Sequence, residues 1–69
     1  MKISFKETMV ICSKKQITIE ELNCLFDMCA HINRYENTDD VRMKKMLKAI
    51  SVTITRNAHL LFSNDNHEN

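Results

Sequence analysis

The chain has 69 residues and a net charge of +1, with 43% hydrophobic and 28% charged residues. Gly and Pro are both absent, so the chain has no glycine-built phosphate loop and no dinucleotide-binding fingerprint. Its three cysteines are an odd number and do not make a closed disulfide framework, and no run nears the ~20 apolar residues that span a bilayer.

These bounds predict one small all-α domain over residues 1–69. The expected setting is reduced and cytoplasmic, with no membrane, because Met1 to Lys6 lacks the apolar run of a signal peptide. Richness in Lys, Ile and Asn is compatible with an AT-rich bacterial or phage gene. Without Gly or Pro, helices joined by short polar links are the natural solution. A chain this short buries only a small core, which points to completion by dimerisation or by a partner. Charge is unevenly spread: residues 1–18 carry +3, residues 19–40 carry −5 and residues 41–62 carry +5. The acidic middle and the basic stretch after it are expected to lie against each other.

In chain order, the first element is a short helix over about 5–15. Ser4 and Glu7 have the spacing of a capping box, and Phe5, Met9 and Cys12 lie along one side. A short strand competes here, because "KISF" alternates and "MVIC" is continuously apolar.

The strongest local signal is "ITIEEL" at 17–22. Thr18 can cap a helix, Glu21 can reach back to the cap's N–H, and Ile17 and Leu22 occupy the staple positions. This predicts a helix over 18–34 whose apolar face carries Leu22, Leu25, Phe26, Cys29, Ile32 and Asn33. "RYENTDD" breaks it. Asn37 or Thr38 is then expected to cap the next helix, with Asp39 and Asp40 in its first turn.

The stretch "KAISVTITRNAHLLF" at 48–62 can be read at two periods. Alternation of Ile50, Val52 and Ile54 with Ser and Thr fits a strand, but it covers only residues 50–55 and needs a breaker before it. Met43, Met46, Leu47, Ile50, Ile54, Ala58 and Leu61 instead hold helical spacing, and "MKKMLKA" is strongly helix-forming. The prediction is a helix over 38–62, paired antiparallel with 18–34, which places Arg56 near Glu20 and Glu21. "SNDNHEN", residues 63–69, reads as a polar tail.

The candidate chemistry is sparse. Cys24, Asp27 and His31 fall together on the polar face of the second helix. Asp27 and His31 are one turn apart, but Cys24 and His31 are separated by about 10 Å along the axis. One zinc ion is hard to share over that span, and Cys12 joins only if the first segment folds across that face. No metal, cofactor or catalytic residue is therefore expected, and the paired acids read as first-turn residues of helices, so enzyme activity is not expected.

Two surface readings remain. The first is protein binding by a helix face, as an inhibitor, adaptor or small chaperone acting on a protein partner or on a second copy. Its expected interface is Met28, Ile32, Met43, Met46, Val52 and Leu60, since Met suits adaptable surfaces. The alternative is a small DNA- or RNA-binding regulator that follows a phosphate backbone with Lys44, Lys45, Lys48 and Arg56.

Overall fold

The computed structural model describes residues 3–62. All regular structure among them is helical: α1 (Phe5–Cys12), α2 (Ile19–Tyr35) and α3 (Val41–Arg56). The expected polar tail, 63–69, lies outside the described residues. So does the start of the alternating "KISF" stretch; in the first segment Phe5–Cys12 is helical and not a strand.

Both expected capping boxes form. The Ser4 hydroxyl accepts from Glu7 N–H at 3.1 Å, while the Glu7 carboxylate accepts from Ser4 N–H at 2.9 Å. Thr18 and Glu21 repeat the arrangement at 3.1 and 2.9 Å. Each cap satisfies donors that a helix start leaves open, a contribution of about 1 kcal/mol. Ile17 and Leu22, flanking the second box, are both buried, as a staple requires.

The helix ends depart from expectation. α1 stops at Cys12 because Ser13 turns its hydroxyl onto the Val10 carbonyl at 2.6 Å. Lys14 then lies outside the helix, and its ammonium pairs with Glu21. At the α2–α3 link Asn37 does not cap a helix: its side chain accepts from Asp39 N–H at 2.9 Å, forming a local turn. The cap of α3 is Asp40, whose carboxylate accepts from Arg42 N–H at 2.7 Å. Asp40 therefore stands just before the first turn, and Asp39 stands outside the helix.

At its far end α3 breaks at Asn57. The chain makes tighter turn bonds here, among them Ala58 N–H to the Thr55 carbonyl at 3.3 Å and Leu60 N–H to the Asn57 carbonyl at 3.0 Å. Helical geometry returns over residues 59–62. The expected continuous helix to 62 is thus interrupted by a residue whose side chain is needed elsewhere.

Each helix packs on both of the others, so α1 is a full member of the core. The buried apolar residues are Ile11, Ile17, Leu22, Leu25, Met28, Ile32, Met46 and Ile50. Leu22, Leu25, Ile32, Met46 and Ile50 are buried on the expected faces, and the three-way contact shifts each stripe only to one side of them. On α1 the buried residues are Thr8 and Ile11, and Met9 is 47% exposed. On α2 Met28 is buried and Phe26 is 40% exposed. On α3 the buried row runs Met46, Ile50, Thr53 and on to Asn57.

Three polar side chains enter this core with their hydrogen bonds made. The Thr8 hydroxyl donates to the Ser4 carbonyl at 3.0 Å and Thr53 donates to the Ala49 carbonyl at 2.8 Å. Asn57 Nδ2 donates to the Thr53 carbonyl at 2.9 Å, and its Oδ1 accepts from the Ile17 backbone N–H at 3.3 Å. No buried side-chain nitrogen or oxygen lacks a partner among the described residues.

Candidate functional site

The two expected surfaces fare differently once the helices are in place. Met28, Ile32 and Met46 are buried at 3%, 0% and 7% exposure. Their apolar area is consumed by the helix core, because α1 covers the side of α2 that pairing with α3 alone would leave open. Met43 and Leu60 are half-buried against the same core. Val52 alone of that set is exposed, at 44%.

Lys44, Lys45, Lys48 and Arg56 are all exposed. Turning α3 by 100° per residue places them with Val41 and Val52 inside an arc of about 120°, opposite buried Ile50. Val41 is 66% exposed. α3 carries no carboxylate of its own. Among the described residues, no ion pair or side-chain hydrogen bond ties the four cations down. The result is a cationic face with an aliphatic residue toward each end.

The expected pairing of the basic and acidic segments is not what the ion pairs show. Glu21 is taken by Lys14, and not by Arg56. Arg42 lies beside Asp40 at 3.6 Å, two residues away in sequence. His31 Nε2 lies 3.4 Å from Glu36 Oε2. Glu21, Glu36 and Asp40 thus find partners other than the four cations of the α3 face.

Cys24, Asp27 and His31 do not converge. Cys24 is half-buried against the core, Asp27 is exposed, and the His31 ring leans toward Glu36 and Tyr35, whose ring centroid is 5.3 Å away. No group of three or more His, Cys, Asp or Glu side chains among the described residues is arranged to hold a metal ion. Among the described residues, no helix is long and apolar enough to cross a membrane.

A second feature lies at the α2–α3 link. Phe5, Met43 and Met46 form the apolar part of a groove of about 340 Å³, flanked by Glu36, Asp40 and Arg42. Its volume is at the lower end of small-molecule sites, roughly 300–1,000 Å³. Phe5 was legible as an apolar α1 residue, but its place beside Met43 depends on how α1 packs and left no mark on the local sequence.

No protein-family model, curated protein or solved structure matches the chain.

Proposed function

We propose that this is a non-enzymatic regulator or adaptor that works by docking the outer face of α3 on another protein. One observation carries the reading: exposed Val41 and Val52 share a face with four cations that have no partner among the described residues, on a helix without a carboxylate. Aliphatic side chains on such a face gain by being covered, and the cations orient what covers them. In this reading α2 and α3 run antiparallel, the protein works in the cytoplasm, and the small helical core is completed by its partner.

The second reading, a DNA- or RNA-binding regulator, is favoured by the same four cations taken alone. The valines separate the two, since phosphates reward charge and give an aliphatic group nothing. The test is native mass spectrometry of the tagged protein recovered from its host at moderate salt, beside its Val52→Ser variant. A stoichiometric protein complex that the variant weakens supports docking. Bound nucleic acid that is lost on raising the salt, with the variant unaffected, overturns it in favour of the second reading. A dimer of this chain assigns the partner role to a second copy.

A further inference from the structure

We infer that the α3 face takes an acidic helical segment of a partner protein, with an apolar residue toward each end and carboxylates between. This rests on the docking reading above and adds the partner's chemistry.

Val41 and Val52 are eleven positions apart, about 16 Å along a helix axis. Lys44, Lys45 and Lys48 fill the interval and Arg56 follows. A segment laid along this line meets aliphatic contact, then a block of ammonium groups, then aliphatic contact again. About three turns of helix with two apolar anchors and three or four carboxylates match it in length and in charge.

Charge argues against a second copy here. Antiparallel α3 helices would set Lys48 near its own counterpart, with Lys44 and Lys45 close by and no carboxylate on either helix to answer them. Like charges juxtaposed across an interface oppose association strongly. A lipid surface is disfavoured by the apolar side of α3 itself: Met46 and Ile50 are buried in the core, so only two valines remain to enter a bilayer, too little for an interfacial helix. A phosphate backbone would use the lysines and leave both valines idle, so it accounts for less of this face than an acidic amphipathic segment does.

The experiment is fluorescence anisotropy with the whole chain and a set of labelled probes. These are a designed helical peptide of about 18 residues with two Leu eleven positions apart and Glu between them, its Gln-for-Glu version, polyglutamate of equal charge, a 20-base-pair DNA duplex and vesicles containing phosphatidylserine. The acidic amphipathic peptide is expected to bind tightest. Val52→Ser should weaken it about fivefold, from lost apolar burial, and Lys48→Glu roughly tenfold, from reversed charge. Both positions are exposed, and circular dichroism verifies that each variant folds.

Equal binding of the Gln version overturns the acidic partner and leaves helix-face docking standing. Polyglutamate, duplex or vesicles binding as tightly, with Val52→Ser silent, overturns both. Failure of every probe to bind removes the acidic-segment inference.

Discussion

Asn57 Oδ1 accepts the backbone N–H of Ile17 at 3.3 Å, joining positions 40 residues apart. Ile17 sits just before the cap of α2, and Asn57 closes α3. A single buried amide therefore fixes where the α1–α2 link lies against the end of α3, and its other end returns to the Thr53 carbonyl.

Asn57→Ala removes both bonds and strands the Ile17 N–H in a buried place, a loss of about 2–3 kcal/mol. Urea unfolding should show a clearly lower midpoint, and the Ile17 amide should exchange faster with solvent. A shift below about 0.5 kcal/mol, within the range of a neutral surface change, would mean the bond does not hold the link.

Thr18→Ala should cost about 1 kcal/mol by opening the α2 cap. The pH response of the same site follows from Glu21, whose carboxyl is held below the usual range by the Lys14 hydrogen bond and next by the Thr18 N–H. A lowered folded value means that this stabilisation is complete above the ordinary glutamate range, about 4.3, and is lost as pH falls through the folded value. Asp40 has the same sign, from the Arg42 N–H. Unfolding midpoints should be insensitive to these groups at neutral pH and fall in acid, and Glu21→Gln should make the acid fall shallower. An identical acid profile in the variant would remove Glu21 from the account.

The turned face of α2 makes an unusual pair of expectations. Phe26→Ser, at a position 40% exposed, should cost about 1 kcal/mol from its partly covered ring. Met28→Ala should cost about 2–4 kcal/mol, because Met28 is enclosed in the core. The reverse order, read from chemical denaturation, would restore the face expected from pairing of α2 with α3 alone.

Burial pushes the Cys29 thiol up, and the nearby Cys12 adds to it in the same direction. Since the thiolate is the reacting form, Cys29 in the folded chain should alkylate more slowly at pH 8 than a free thiol. Denaturant should erase the difference. Mass spectrometry of timed quenches assigns each site, and Cys29 labelling first would contradict the packing described for it.

What could be read from sequence was local. The Ser4–Glu7 and Thr18–Glu21 boxes are complete within four residues, so nothing distant can conceal them. The lysine face was equally legible, since charges left without a partner stay in water wherever the helices go. Leu22, Leu25, Ile32, Met46 and Ile50 were legible as buried, but the exchange of Phe26 for Met28 was not, because it depends on a third helix whose contacts appear only in three dimensions. Thr8, Thr53 and Asn57 escaped an apolar count for a second reason. A threonine hydroxyl can be satisfied by its own helix turn, so a polar residue can be buried without any sign in the hydrophobic pattern. Met28, Ile32 and Met46 misled as interface candidates for the first of these causes.

No described residue has a positive φ, so every corner of the fold is turned with backbone angles open to nearly any amino acid. Such corners tolerate sequence drift: outside Ser13, Lys14, Ile17, Thr18, Asn37 and Asp40, whose side chains hold the links, positions in 13–18 and 36–40 need no special backbone angle. Descendants of one ancestor could then differ throughout their links while keeping the same three helices, and kinship would persist longest in the caps and in the buried row that ends at Asn57.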